Sequence, residues 1–194
     1  MIIGLTGPMG SGKTKAAQIL KEKGAYVIEA DKIAHDLLDV PQVLKKIVKA
    51  FGPVILSNKK IDRKKLGDLV FNNPKKLKIL NGILHPLIIK EIKKKIMIKD
   101  IGNWIVIDAA LPHLFQGIAH EVWVVLSSRE NRLKRLGKIG IDKKKALKIF
   151  KAQPSVRDYK KISDKVIIND DDIMGLRKQI FTCEKSYQKQ KPRI

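Results

Sequence analysis

Gly7-Pro8-Met9-Gly10-Ser11-Gly12-Lys13-Thr14 directly follows the apolar run Ile2-Ile3-Gly4-Leu5-Thr6. The eight residues fit the pattern G-x-x-x-x-G-K-[ST] in the context it requires, a short β-type run before it and helical periodicity after it. Gly7, Gly10 and Gly12 let the backbone take positive φ and come close to a ligand, so that successive N–H groups can point at phosphate oxygens. Thr14 opens a helix carrying Ala16, Ala17, Ile19 and Leu20 and ended by Gly24, whose positive dipole end is directed at the same anion. Lys13 can reach β and γ phosphates, and the Thr14 hydroxyl can bind Mg²⁺. Gly10, Ser11, Gly12, Lys13 and Thr14 are therefore the candidate nucleotide-binding residues. A buried strand and a helix joined by such a loop predict an α/β fold.

Beyond that helix, Ala25-Tyr26-Val27-Ile28 reads as a second strand running into Glu29-Ala30-Asp31. Ligands collect beyond the carboxyl ends of parallel strands, so Asp31 is expected to face the phosphate loop and to orient and deprotonate a hydroxyl. It is equally placed to cap the helix from Lys32 to Leu38. Residues 41–100 read as helical and lysine-rich. Pro41 starts one helix and Gly52-Pro53 stops it; Asp62 caps a second; Asn73-Pro74 begins a third; Pro86 begins a fourth. So long a helical insert suggests a subdomain that holds a substrate.

Trp104-Ile105-Val106-Ile107-Asp108 returns to strand character as a continuous apolar run, the mark of a strand covered on both faces. Asp108 at its end has the form of an acid that holds Mg²⁺, and equally of an ordinary strand-terminal carboxylate. Val122–Leu126 and Lys165–Asn169 supply the fourth and fifth strands. Ser127-Ser128 can cap a helix bearing Arg129, Arg132 and Arg135, with Lys138 just beyond. These cations suit a lid that closes on a transferring phosphoryl group, and equally a solvated helix face. A further helix runs from Asp142 to Gln153-Pro154, Asp170-Asp171-Asp172 caps the last helix, and the tail after Tyr187 is expected to fray.

The chain has 194 residues, enough for a substantial core, and 44% of them are hydrophobic. No stretch is long and apolar enough for a membrane span. The N-terminus enters a strand without a charged leader region or a small-residue cleavage site, so a cytoplasmic location is expected. Cys183 is the single cysteine, which excludes an intrachain disulfide and a cysteine-held metal. The formal charge is +22, but of 41 basic residues only seven are arginine, and the lysines are dispersed. That pattern reads as a solvated exterior that also attracts polyanionic substrates. A specific nucleic-acid partner is not expected, since no finger, RNP or helix-turn-helix pattern is present.

The phosphate loop, Glu29-Ala30-Asp31, Leu84-His85-Pro86-Leu87-Ile88 and the stretch from Ala152-Gln153 to Asn169 together resemble the dephospho-CoA kinase family over nearly the whole chain. The resemblance implies transfer of the ATP γ-phosphoryl group to the ribose 3′-hydroxyl of dephospho-CoA, with ATP and Mg²⁺ at the phosphate loop. It implies that Asp31 is base or substrate anchor, that His85 belongs to the substrate site or to the core, that Asn169 lines the nucleotide pocket, and that a lid cation, Lys138, Arg135 or Arg132, assists transfer. Departures from the family pattern are Glu29 for the usual first Asp, Lys138 near an expected arginine, Ile168 where an Asp often precedes the Asn, and Val156 where an arginine is common. The expected architecture is a three-layer P-loop NTPase fold with a five-stranded parallel sheet ordered 2-3-1-4-5. It is one kinase domain over residues 1–194, monomeric or in a small homo-oligomer, with a helical CoA-binding insert at 58–100 and a lid at 129–160. The rival readings are another small-molecule kinase of the same fold, acting on nucleosides or nucleotides, and a basic nucleic-acid-associated NTPase.

Overall fold

A computed structural model describes residues 1–71, 73–98 and 104–190. The chain divides into two compact units, Met1–Ile28 with Asp100–Ile194, and Glu29–Lys99. In chain order, β1 (Ile2–Thr6) leads through the phosphate loop into α1 (Lys13–Glu22) and β2 (Tyr26–Glu29). Then come α2 (Ala30–Leu38), α3 (Pro41–Phe51), the short strands β3 (Leu56–Ser57) and β4 (Lys60–Ile61), α4 (Arg63–Phe71) and α5 (Pro74–Ile98). The remainder is β5 (Ile105–Asp108), β6 (Glu121–Leu126), α6 (Arg129–Lys138), α7 (Lys143–Ala152), α8 (Val156–Lys161), β7 (Lys165–Ile168) and α9 (Ile173–Gln190).

The five long strands form one sheet in the order β2-β5-β1-β6-β7, which is the expected 2-3-1-4-5 when sheet strands alone are counted. Strand β1 pairs in parallel with β5 and with β6, and β6 in parallel with β7. Parallel strands covered on both faces must be apolar throughout, and Val106, Ile107, Val124 and Val125 are fully buried. On one face Ile3, Leu5, Trp123, Val125 and Ile167 pack against Ala16, Ile19 and Leu20 of α1 and Leu176 and Ile180 of α9. On the other, Val124 and Leu126 meet Tyr159 of α8. The edge strand β7 is closed by Gln179 of α9, whose side chain accepts from the Ile168 N–H at 2.8 Å and donates to its carbonyl at 2.6 Å.

The second unit is helical, with α2, α3 and α4 packed on α5. Its spine is the stripe Leu80, Leu84, Ile88 and Ile92, one buried residue every four. The break expected at Pro86 does not occur, and α5 runs through it as a single helix. Proline removes one N–H and crowds the carbonyl four residues back. That residue is Gly82, which has no side chain, and the continuous apolar stripe anchors both halves of the helix. The β3–β4 hairpin was not expected either; its turn places Asn58 and Lys59 at φ 49° and 62°, the left-handed pair such a turn needs. Helix α8 was also missed, although Ser155 and Asp158 form a full capping box at its start. The cap of the last helix is made by Asp172 alone of the three aspartates, through the Gly175 N–H at 2.8 Å. Helix α9 reaches Gln190, and 191–194, the end of the tail expected to fray, lie outside the described residues.

Gly4 sits at the centre of β1 against the Phe115 ring, with no room for a Cβ. Gly4→Ala is expected to lower stability by about 1–3 kcal/mol in urea denaturation, and Phe115→Leu in the same chain is expected to recover part of that loss.

Candidate active site

The phosphate loop leaves the carboxyl end of β1, in the middle of the sheet. Gly10 and Gly12 hold φ 81° and 92°, a region that residues with a Cβ rarely enter. At Gly12 a Cβ would also overlap the side-chain amide of Asn169. Gly12 is the N-cap of α1 and brings no side chain to its first amides. The N–H groups of Lys13 and Thr14 have no backbone acceptor among the described residues and remain available to an anion, whereas that of Lys15 bonds to the Gly12 carbonyl at 2.9 Å. The Ser11 hydroxyl is buried without a hydrogen-bond partner among the described residues, and such a group costs about 1–3 kcal/mol unless something satisfies it. An anion in the cradle, or water held by one, would relieve that cost.

Asp108 ends β5 directly beside Leu5 at the end of β1. Its carboxylate forms an ion pair with the Lys13 ammonium, both side chains being largely buried. Lys13 and Asp108, 95 residues apart in sequence, thus share one spot under the loop. The Thr14 hydroxyl in the first turn of α1 is exposed. Thr14 and Asp108 supply hard oxygen donors of the kind Mg²⁺ takes. Among the described residues no group of three or more His, Cys, Asp or Glu could hold a metal, so a cation here would take its remaining ligands from phosphate and water.

Arginines of α6 brace the loop. Arg132 is buried and donates from Nε to the Met9 carbonyl at 2.8 Å and from Nη2 to Gln153 Oε1 at 3.3 Å. Its guanidinium lies 3.9 Å over the Phe150 ring. Gln153 Oε1 also accepts from the Met9 N–H at 3.1 Å. Arg135 donates from Nη1 to the carbonyls of Gly10 and Ser11 at 3.2 and 3.1 Å, and from Nη2 to the Asn169 carbonyl at 2.7 Å. Asn169 in turn donates its side-chain amide to the Ser11 carbonyl at 2.7 Å. Arg135 and Asn169, expected on a lid cation and in a base pocket, are here bonded to the loop's own backbone. Arg132 was expected only as a lid cation and Gln153 only as part of the Ala152-Gln153 segment; their contacts with the Met9 backbone were not expected.

Ser127, at the end of β6, joins this set through Arg135 Nη1 at 3.1 Å and donates to Asp170 Oδ1 at 2.8 Å. Asp170 also accepts from the Ser128 N–H and the Asn131 amide. These hydrogen bonds, led by that of the Ser128 amide, hold the Asp170 carboxyl at about 2, below the usual 3.8. The apolar side chains of Leu147, Phe150 and Val156, together with Pro8, Ser127 and Asp170, border a cleft of about 620 Å³.

The remaining expected site residues are Asp31, His85 and Lys138. Asp31 is exposed in the first turn of α2, two residues beyond the end of β2; the helix starts at Ala30, and its N-cap is Glu29, so Asp31 is not the cap. His85 is half-buried in α5 and borders a groove of about 560 Å³ with Pro74, Asn81 and Gly82. Both belong to the second unit. Lys138 is exposed at the last turn of α6.

Gly12→Ala is expected to abolish nucleotide binding in a titration, since both its φ and its contact with Asn169 exclude a methyl group. For Asp170, a carboxyl held below its unfolded value stabilises the fold above pH 3.8, and this contribution is lost as pH falls through about 2. Urea midpoints of the unmodified chain and of Asp170→Asn are therefore expected to converge across that window, the variant being the less stable above it.

Residues 1–175 match the dephospho-CoA kinase family. A dephospho-CoA kinase of Carboxydothermus hydrogenoformans is 42% identical, over 93% of this chain and 91% of that one. Among solved structures, a dephospho-CoA kinase of Campylobacter jejuni superposes with a TM-score of 0.64 at 26% identity, over 95% of this chain and 96% of that one. A protein of Thermus thermophilus shares the fold with a TM-score of 0.82 at 22% identity, over 99% and 98% of the two chains. Because the likeness runs through the whole sheet and the helical unit and is not confined to the phosphate loop, this chain belongs to the dephospho-CoA kinase family.

Proposed function

We propose that this chain transfers the γ-phosphoryl group of ATP to the ribose 3′-hydroxyl of dephospho-CoA, yielding CoA and ADP. The observation that carries the reading is family membership along the full sheet and helical unit, on a phosphate loop whose first α1 amides are uncapped. In the transfer, the 3′-oxygen forms a bond to phosphorus as the bond from the γ-phosphorus to the bridging oxygen breaks, and the hydroxyl proton passes to the Asp31 carboxylate. The loop amides and α1 hold the β-phosphate, where a helix start and oriented N–H groups favour negative charge. Lys13 shifts from Asp108 to the phosphate oxygens. Thr14 and Asp108 would hold Mg²⁺, which when bound neutralises charge between the β and γ phosphates. Lys138, on the solvent-exposed end of α6, supplies a lid cation. His85 and its groove in the helical unit are assigned to the dephospho-CoA side of the site. Closure of the region 129–160 over the phosphates keeps water from taking the phosphoryl group.

No helix among the described residues is long and apolar enough to cross a membrane. We place the protein in the cytoplasm, as a monomer or small homo-oligomer acting on ATP and dephospho-CoA.

Incubation of the unmodified chain with ATP, Mg²⁺ and dephospho-CoA is expected to give CoA by mass spectrometry, with adenosine and nucleoside monophosphates left unmodified; phosphorylation of those acceptors in place of dephospho-CoA would overturn the assignment. Asp31→Ala is expected to lose about 10²–10⁴-fold in kcat, the range of a general base, while ATP affinity is kept because the loop is untouched. Loss of ATP binding along with activity would mean that Asp31 is structural.

A further inference from the structure

We propose that Arg132 and Arg135 are positioning residues, which aim the N–H groups of the phosphate loop by holding its carbonyls from outside the cradle. The inference rests on the reading that this loop binds a nucleotide polyphosphate.

In a trans peptide the carbonyl of one residue and the N–H of the next are coplanar and point in opposite directions. No cis peptide occurs among the described residues. The bond from Arg132 Nε to the Met9 carbonyl therefore turns the Gly10 N–H away from α6. The bonds of Arg135 and Asn169 to the Ser11 carbonyl likewise turn the Gly12 N–H away from themselves. Between the two, Arg135 holds the Gly10 carbonyl, and the N–H of that same peptide, on Ser11, closes the loop onto the Pro8 carbonyl at 3.0 Å. Three successive peptides are thus set by the two arginines, with Asn169 sharing the Ser11 carbonyl. The N–H groups of Gly10 and Gly12 have no backbone acceptor among the described residues.

The residues so aimed are glycines, whose peptides rotate most freely. An external constraint is what gives such a loop a defined donor array before the ligand arrives, and preorganised donors are worth most where charge is to be stabilised. The constraint is itself well seated. Arg132 is 8% exposed, its plane rests on Phe150, and Gln153 joins it to the N–H of the same Met9 whose carbonyl it holds. At Gly10 the backbone of α6 comes so close that a Cβ would stand 3.0 Å from the Arg132 carbonyl. The task requires a fork. A guanidinium spans two acceptors in fixed geometry, whereas an ammonium is a single point charge. In a chain where only seven of 41 basic residues are arginine, both basic side chains that hold loop carbonyls are arginines. Arg135 has its two terminal nitrogens on four protein acceptors, Gly10, Ser11, Ser127 and Asn169. That arrangement serves the loop and not a transferring phosphoryl group.

Calorimetric titration of ADP, ATP and dephospho-CoA into Arg132→Met and Arg135→Met tests the assignment, with steady-state kinetics alongside. Methionine keeps apolar contact with Phe150 while removing the donors. ADP and ATP are expected to weaken by the same factor, about tenfold or more for a lost pair of oriented hydrogen bonds. For Arg132→Met, the KM for ATP is expected to rise by a larger factor than kcat falls, the split that marks a binding defect; Arg132→Lys is expected to recover part of the affinity. Dephospho-CoA affinity is expected to be unchanged. Unchanged ADP affinity with a collapsed kcat would make the arginines phosphoryl clamps and overturn the proposal. Parallel losses of ADP and dephospho-CoA binding with a lowered Tm would reduce them to general structural residues and overturn it too. Should Arg132→Met fail to fold, Gln153→Ala, which removes the second acceptor of Arg132, must weaken ADP severalfold, and unchanged affinity there overturns the proposal. Turnover of dephospho-CoA by the unmodified chain carries the functional reading and ADP affinity of the variants carries this one, so each fails on its own measurement.

Discussion

Strand β1 lies between β5 and β6 and is paired in parallel with both, so three chain segments reach the same edge of the sheet side by side. The register is one-to-one from Ile2 to Leu5 against β5 and from Ile3 to Thr6 against β6. Everything in the phosphate site depends on it. Asp108 stands beside Leu5 because β5 is in that register, and Ser127 emerges next to the loop because β6 ends one residue before it. The sheet is in turn held by a dry core, where Trp123 is fully buried with Trp104 edge-on to it at 6.2 Å. A slip of one residue in β1 would move Leu5 to the opposite face and the lysine away from its carboxylate.

The loop is therefore shaped from two directions. From the strand side, burial fixes where it starts. From the helix side, α6 and the residue after β7 fix how its peptides face. Neither set of contacts is local: Arg132 and Met9 are 123 residues apart in sequence, and Asn169 and Ser11 are 158 apart. The helical unit is organised by different means, a single apolar stripe on α5 around which α2, α3 and α4 gather.

What was legible in the sequence follows from this division. Strands buried on both faces must be uninterrupted apolar runs, so β1, β5 and β6 could be found; the edge strand β7 reads as an apolar run too, although Val166 and Ile168 are exposed. The residues of the nucleotide cradle were named by the motif itself. Helix caps at Asp62, Ser128 and Asp142 were readable because capping is a matter of three or four neighbouring residues. The ion pair of Lys13 with Asp108 was not readable, nor were the carbonyl contacts of Arg132 and Arg135, since each joins residues that only the finished sheet brings together. Pro86 misled for a related reason: a local rule for ending helices was overruled by Gly82 one turn back and by packing along the whole of α5. The capping box at Ser155 was in plain view, but its helix is only six residues long and has a single buried residue, Tyr159, to announce it.

The pairing of Lys13 with Asp108 also bears on what nucleotide binding can gain. A polyphosphate that takes this lysine must displace a carboxylate already serving as its counter-ion, so the step is an exchange of one anion for another and not the neutralisation of a bare cation. The lysine's desolvation is met by the fold itself, and the net gain is the difference between two ion pairs.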